Sequence, residues 1–427
     1  MNRFFHSAGF LLLTVLFPFC VSASSGNADA LRASAESGDP VAQFKLGLEY
    51  FRGTAGRGQN PDLAAYWFGQ AAGKGLPQAQ LNYAVCLENG FGITRDPKKA
   101  LDWYARAAEQ GVIPARLGMA LLLLNGAEDG LADDSKVRPD PEKAVKFLRD
   151  LSERKCAPAM VELAAFLVRG DKPADDARKK SFDLLHAASL LPDVPAKGLR
   201  MLAECCAAGS GCAQDKPRAL ELFRRAARMN DTDAIAGLAS FYERGEAVPK
   251  DAARAMRLYK RAALAGHPLA EYKYAEAVYA GMEKDTDPKE ALGWLRKSAD
   301  RGCPQALHRL AEFSAAGMET GKPDKIRAAE LYLEAAKRGY AQSQYALGCM
   351  LFAGDGISQD EARAFYWFAQ AALRDYPPAM RRVAQCYYDG RGCEKDNEKA
   401  VGWLKAAAEA GDYTALQMLE SNSRNAW

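Results

Sequence analysis

The feature that most constrains the fold is a small residue followed, 11 positions later, by a glycine, at ten places in the chain. Successive glycines lie 36 to 44 residues apart, so this spacing is kept while the length between copies varies. Such spacing indicates one small unit repeated in tandem, which predicts a repeat array rather than a single globular core. The ten pairs are Ala42/Gly53, Ala79/Gly90, Ala115/Gly126, Ala159/Gly170, Gly198/Gly209, Ala234/Gly245, Ala270/Gly281, Ala306/Gly317, Ser343/Gly354 and Ala379/Gly390.

The copy at residues 76–111 shows what each unit is predicted to form. Its first half places Ala79 and Leu87 on one face of a helix, which a glycine then ends. Asp96 follows as the predicted cap of a second helix, because its carboxylate can accept from free backbone amides and Pro97 suits the first helical turn. Each copy is therefore predicted to be two antiparallel helices, called A and B here, joined by a loop.

Three columns of residues recur through the copies. The column inside helix A is always alanine or glycine, which lets two helix backbones approach closely. Its members are Gly47, Ala84, Ala120, Ala164, Ala203, Ala239, Ala275, Ala311, Gly348 and Ala384. The cap column of helix B is Asn60, Asp96, Asp140, Asp215, Asp251, Asp287, Asp324, Asp360 and Asp396, with Ala177 as the exception. The third column holds five of the six tryptophans, which we interpret as core residues. They are Trp67, Trp103, Trp294, Trp367 and Trp403.

The combined pattern resembles a known repeat family. The run A-x-x-x-L-G-x-x-Y-x-x-G, followed by D-x-x-K-A-x-x-W-Y-x-x-A-A-x-x-G, is similar to the Sel1-like repeat, a relative of the tetratricopeptide repeat. The resemblance covers residues 39–411 and implies an all-α, right-handed α/α solenoid of about ten two-helix repeats of 36–44 residues. The fourth copy matches weakly, and the third carries an eight-residue excess that we expect to form a surface loop. We expect terminal capping helices in residues 24–38 and 412–427.

The first 23 residues read as an export signal. A polar start is followed by an apolar run from Phe10 to Phe19 and by the small-residue cleavage site Val21-Ser22-Ala23. We therefore expect cleavage near Ala23 and a periplasmic or secreted mature protein. The apolar run of 10 residues is too short to span a bilayer, and no later segment is long enough, so no membrane span is expected in the mature chain.

The cysteines form two pairs at identical repeat positions. Cys205 and Cys212 are seven residues apart, as are Cys386 and Cys393, and we predict a disulfide in each pair because exported proteins meet an oxidising environment. The alternative is free, buried thiols. Exported cysteine-rich members of the resembled family carry disulfides inside their repeats, and the resemblance implies the same here. Spacing assigns no partner to the others, which are Cys86, Cys156, Cys206, Cys303 and Cys349.

No group of residues has the pattern of a catalytic, metal or cofactor site. Ser152 and Lys155 spell S-x-x-K, but the S-D-N and K-T-G segments that accompany a serine nucleophile of this type do not occur. No C-x-x-C occurs, and three histidines remain after the predicted cleavage. Because the net charge of +3 is near neutral and no basic stripe is evident, neither nucleic acid nor an anionic membrane is expected as a partner.

A row of large residues on helix A is the predicted binding surface. These positions lie roughly 140° around the helix from the core positions, so we expect them on the concave inner wall, where related folds bind peptides. The row comprises Phe44, Phe51, Tyr272, Tyr279, Tyr345, Phe352, Arg381 and Tyr388. Burial between neighbouring repeats is the alternative. The sequence thus predicts an exported, non-enzymatic scaffold for a protein or peptide partner. The alternatives are a β-lactam or cell-wall hydrolase centred on Ser152 and a secreted host-interaction factor.

Overall fold

The computed structural model describes residues 28–54, 58–127, 133–170, 172–282, 288–318 and 321–424. These residues contain 22 α-helices and no β-strand. The predicted signal peptide, the cap residue Asp287 and the extreme C-terminus lie outside them. Within the described ranges, no helix combines the length and apolar character needed to cross a bilayer.

The helices follow one another with short connections. In chain order they are α1 (Ala28–Glu36), α2 (Pro40–Arg52), α3 (Pro61–Gly73), α4 (Pro77–Asn89), α5 (Pro97–Glu109), α6 (Ile113–Asn125), α7 (Pro141–Glu153), α8 (Ala157–Leu167), α9 (Asp175–Ser189), α10 (Ala196–Ala208), α11 (Lys216–Arg228), α12 (Thr232–Arg244), α13 (Ala252–Leu264), α14 (Pro268–Tyr279), α15 (Pro288–Asp300), α16 (Pro304–Ala316), α17 (Lys325–Lys337), α18 (Ala341–Ala353), α19 (Glu361–Ala372), α20 (Pro377–Asp389), α21 (Asn397–Glu409) and α22 (Tyr413–Arg424).

The helices alternate as the sequence predicts. Even-numbered helices from α2 to α20 are the A helices, and odd-numbered helices from α3 to α21 are the B helices. Within each unit described below, every B helix of a copy packs against the A helix that precedes it. The weakly matching fourth copy forms the same hairpin, with α8 packed on α9. The fold is therefore the all-α solenoid expected from the repeat. The chain divides into two compact units, residues 1–214 and 215–427, and each has its own hydrophobic core.

Side-chain caps start the B helices where the sequence places them. In α5, the backbone N–H of Lys99 donates to Asp96 Oδ1 over 3.0 Å, which satisfies one of the free amides of the first turn. The equivalent bond in α21 joins Lys399 to Asp396, and the Lys399 amide and ammonium group hold the pKa of that carboxyl below its usual value. In the fourth copy, α9 begins after Ala174 and has no side-chain cap.

The small residues of helix A are buried in every copy, as their column predicts. At Gly348, for example, an added Cβ would lie 2.6 Å from the ring of Phe368 on the next helix. This distance is far below van der Waals contact, so the aromatic ring of helix B fills the space that a larger residue in helix A would need.

The tryptophan column differs from its predicted place in the core. All five tryptophans are half-buried, and Trp103 and Trp294 stack edge-on against tyrosines of helix A with a cation above each ring. The buried column is the next residue along helix B, because that position points directly at helix A. Its members are Phe68, Tyr104, Leu148, Leu185, Phe223, Tyr259, Leu295, Tyr332, Phe368 and Leu404.

Candidate functional site

Two of the eight predicted binding residues are core residues in the first unit. Phe44 and Phe51 are buried, at 9% and 8% exposure, so the prediction that they would be accessible is wrong. The ring of Phe44 lies 5.8 Å from that of Phe68 in the same copy. The ring of Phe51 lies 5.1 Å from that of Phe91 in the next copy. Packing within and between neighbouring copies buries this part of the row.

The other six lie on the second unit, on α14, α18 and α20. We call the surface formed by α14, α16, α18 and α20 the helix-A face. Tyr345 and Phe352 of α18 are half-buried, with ring centres 5.7 and 6.3 Å from that of Phe368. The guanidinium group of Arg391 lies 3.9 Å above the ring of Phe352. These side chains therefore pack against the core and are only partly accessible to solvent.

Tyr279 and Tyr388 are the exposed members of the row, at 39% and 52% exposure. Tyr388 has the ammonium group of Lys395 5.3 Å from its ring. Between these two tyrosines in sequence, Arg381 is half-buried and forms an ion pair of 2.9 Å with Asp412. Its charge is thus already neutralised by a carboxylate of its own chain.

Arg309 of α16 lies beside Tyr279 but is absent from the row predicted by the sequence. Arginine is enriched in protein interfaces. Its Nε lies 3.0 Å from Glu276 and its Nη1 2.7 Å from Glu312. Its guanidinium group also lies 5.4 Å from the ring of Tyr279 and 4.9 Å from that of Phe313. The contact between α14 and α16 therefore presents a fixed group of aromatic and charged side chains on the helix-A face. In the repeat register Arg309 occupies the position of Lys273 and Arg382, one residue after the predicted row, so that row does not include it.

Tyr272 is half-buried on the same helix as Tyr279, and burial raises the pKa of its hydroxyl to about 12. Nearby, His308 is enclosed by the rings of Tyr332 and Tyr340, at 5.2 and 5.3 Å. Its Nδ1 lies 2.8 Å from the Ser343 hydroxyl, and burial lowers the pKa of the imidazole below its usual value. This group is therefore uncharged at neutral pH and joins α16 to α18 through a hydrogen bond and ring contacts.

The predicted cysteine pairs are brought close together, and the nine described cysteines are present as thiols in this structure. Cys212 Sγ lies 3.7 Å from the carbonyl oxygen of Cys205. Burial, reinforced by the neighbouring thiols, raises the pKa of Cys205 and of Cys386 to about 11. These thiols therefore stay protonated at neutral pH, which slows their oxidation. The two disulfides stay predictions.

We expect chain recovered from an oxidising compartment to contain two bridges, Cys205–Cys212 and Cys386–Cys393. Alkylation of denatured, unreduced protein should then label five of the nine mature thiols, and reduction should expose four more. A bridge closing so short a loop is expected to stabilise its copy by roughly 2–3 kcal/mol, which unfolding of Cys386→Ser with and without reductant would measure. Labelling of all nine thiols before reduction would exclude both bridges.

The hydrolase alternative depended on Ser152, which lies in the last turn of α7. Its hydroxyl donates a hydrogen bond of 2.6 Å to the carbonyl oxygen of Leu148 in the same helix. A nucleophilic serine needs that proton directed at a base. Ser152 thus has the geometry of an ordinary helical serine.

Basic residues are clustered locally, which corrects the expectation that the chain has no basic stripe. Helix α11 carries five basic residues and one acidic residue, and α13 carries four basic residues and no acidic residue. The near-neutral total conceals this cluster because acidic residues elsewhere in the chain balance it.

Comparison with known proteins identifies one repeat family along most of the chain. A family model described as Sel1 repeat matches nine segments, which are residues 40–76, 77–112, 114–150, 196–231, 232–267, 268–303, 304–340, 341–376 and 377–412. Only the fourth copy, whose match to the motif is weak, is not among them. A comparison with curated proteins gave no match.

Several solved structures are similar to this fold, among them the following two. One is a protective antigen present in uropathogenic Escherichia coli strains and displaying an SLR fold, with a TM-score of 0.50, 22% identity and 93% of both chains covered. The other is a Sel1 repeat protein from Oxalobacter formigenes, with a TM-score of 0.50 and 26% identity, covering 58% of this chain and 99% of that chain.

Proposed function

The chain belongs to the Sel1 repeat family, and we propose that it is a scaffold that binds a protein partner on the helix-A face of the second unit. The observation that carries this proposal is the pair of exposed tyrosines on that face, Tyr279 and Tyr388. Tyrosine supplies a large contact area with few rotatable bonds, and it is enriched among residues that dominate binding energy.

The surroundings of Tyr279 support this role. Arg309 and Phe313 hold one edge of the ring, so little side-chain entropy is lost when a partner covers the other edge. Glu276 and Glu312 flank Arg309 and provide hydrogen-bond acceptors at the rim. An apolar centre with a polar rim is the usual composition of a protein interface.

We also propose that binding takes place outside the cytoplasm. The reason is the sequence of residues 1–23, which has the polar start, apolar run and small-residue cleavage site of an export signal. Peptide mass mapping of the mature N-terminus in fractionated cells tests this step separately from partner binding. An N-terminus at Met1 in a cytoplasmic fraction would refute it.

The test of binding compares two variants that each lose one pair of exposed tyrosines. Tyr279→Ala with Tyr388→Ala should reduce capture of the specific partner from the native envelope by about tenfold or more. The matched control is Tyr66→Ala with Tyr366→Ala, since both tyrosines are 54% exposed and lie on B helices. Equal capture by both variants and the unmodified chain would refute the helix-A face as the binding surface.

A further inference from the structure

Helices α11 and α13 concentrate positive charge locally, although acidic residues elsewhere in the chain balance it in the total. They are the B helices of the fifth and sixth copies, and together they carry nine basic residues and one acidic residue. Arginines elsewhere in the unit, such as Arg301, Arg309 and Arg381, have carboxylate partners within ion-pair distance. Within the cluster, Lys216 pairs with Glu246 at 3.6 Å and Arg224 with Glu221 at 3.8 Å, but basic residues outnumber acidic ones nine to one along the two helices.

The two helices border a cleft of about 400 Å³. Arg224 and Arg228 of α11 line one side, and Arg254 and Arg261 of α13 line the other. One carboxylate, that of Glu221, also faces the cleft, 3.8 Å from Arg224. Four guanidinium groups thus share a single acidic neighbour in this space.

The other contacts of these arginines fix their positions without neutralising their charges. Arg224 donates a hydrogen bond of 3.2 Å to the Tyr242 hydroxyl, and Arg254 lies 4.3 Å above the same ring. Arg261 donates to the carbonyl oxygen of Ala227 over 3.2 Å, which ties α13 to α11. The arginines are held in place near one another, so their mutual repulsion persists until an anion enters.

We propose that this cleft binds an acidic segment of a partner protein. Guanidinium groups present planar sets of donors that match carboxylates in paired hydrogen bonds. Between the arginines, the wall is formed by Leu238 and Leu258, which suits an apolar side chain of the same segment. The ligand is therefore a peptide in which acidic residues flank an aliphatic or aromatic residue.

A second cleft continues this site along the same unit. It has a volume of about 620 Å³ and shares Arg224 and Arg254 with the first. Val248 and Pro249 add apolar surface there, and Lys250 adds a positive charge. Asp251 also lines this cleft, where its carboxylate accepts from the backbone N–H of Arg254 as the cap of α13. An extended segment longer than one or two residues therefore meets further apolar surface beside Arg224 and Arg254.

The same observations favour protein over nucleic acid as the ligand. Single-stranded nucleic acids bind through bases stacked on accessible rings as well as through phosphates. The one ring lining the two clefts, that of Tyr242, is 3% exposed and is covered by Arg254. Phosphates could meet the arginines, but the bases would have no ring to stack on.

The experiment uses the full mature chain and a labelled peptide of repeating Glu-Glu-Leu units, with fluorescence anisotropy at near-physiological salt. A peptide with Gln in place of Glu tests the need for charge, and single-stranded DNA of similar length tests the nucleic-acid alternative. Arg228→Glu with Arg254→Glu should weaken binding of the acidic peptide by about tenfold or more. Arg228→Glu alone serves as a milder variant, because that side chain is exposed.

The matched control is Arg225→Glu with Arg257→Glu. These arginines are exposed on the same two helices but do not line the cleft, so the control makes the same change in net charge. We expect it to change the peptide affinity less than about threefold. Equal losses in both double variants, no binding by the unmodified chain, or tighter binding of DNA than of peptide would each overturn the proposal.

This site is separate from the helix-A face, so the two proposals fail independently. Tyr279→Ala with Tyr388→Ala should leave binding of the acidic peptide unchanged. If that tyrosine variant keeps its envelope partner while the cleft variant loses the peptide, the acidic-segment site stands and the helix-A face does not.

Discussion

Gly392→Ala is expected to destabilise the last copy by more than about 3 kcal/mol. Gly392 follows α20 and has a φ of +75°, a conformation that costs an alanine residue energy. An added Cβ would also lie 2.1 Å from the carbonyl oxygen of Glu361, the first residue of α19. Because that oxygen belongs to the backbone of the preceding copy, the strain cannot be relieved by turning a side chain.

Gly390→Ala separates the cost of the positive φ angle from the cost of the close contact with Glu361. Gly390 has nearly the same φ, +72°, but the nearest atom to its added Cβ is the Cβ of Lys395 at 3.3 Å. Gly390→Ala should therefore lower the free energy of unfolding by only about 1–2 kcal/mol, which is the cost of placing alanine at a positive φ angle. Thermal unfolding followed by circular dichroism, together with hydrogen exchange of peptides from α19 to α21, measures the loss of stability in both variants. Equal losses for Gly390→Ala and Gly392→Ala would show that the contact with Glu361 contributes nothing.

The contact at Gly392 recurs along the chain. At Gly92 an added Cβ would lie 2.0 Å from the carbonyl oxygen of Pro61, and at Gly211 it would lie 2.4 Å from that of Arg178. In each case the turn between helices A and B touches the first turn of the preceding helix B. This close approach of two backbones fixes the spacing between consecutive copies.

Phe368→Ala should cost about 3–5 kcal/mol, which is the range for a large aromatic residue removed from a packed core. Phe368 is 1% exposed and lies against Tyr345, Phe352 and the small residue Gly348. Gly348, which faces the ring, has no side chain that could fill the resulting space. Phe368→Leu should cost far less, since Leu fills the same column in four other copies.

Trp367→Ala is the control for Phe368→Ala. Trp367 is larger than Phe368 but half-buried, so its removal opens a groove that water can fill rather than an internal cavity. We expect a smaller loss of stability than for Phe368→Ala in unfolding experiments under the same conditions. A larger loss for Trp367→Ala would mean that the tryptophan column forms the core, as the repeat pattern of the sequence predicts.

Features that depend on local interactions can be predicted from the sequence alone. A cap such as Asp96 acts on an amide three residues away, and a helix-ending glycine acts on its own φ angle, so both can be identified from a short window. The fixed 11-residue spacing joins two such local signals inside one helix. For this reason the sequence is sufficient to predict the two-helix repeat, its ten copies and the family.

The accessibility of side chains, in contrast, depends on packing between copies. Phe51 and Tyr279 occupy the same repeat position, yet Phe51 is buried and Tyr279 is exposed. The difference arises in the neighbouring copy, which places Phe91 against the first ring and Arg309 with Phe313 beside the second. Ion pairs between consecutive copies likewise join residues 30 to 35 positions apart.

The clustering of positive charge has the same origin. Arg228 and Arg254 are 26 positions apart in the sequence and line one cleft because α11 and α13 both border it. The total charge of the chain carries no information about this arrangement. The exposure of a side chain and the local density of charge depend on contacts between copies. The helical periodicity of a single copy carries no information about those contacts, so it cannot predict either property.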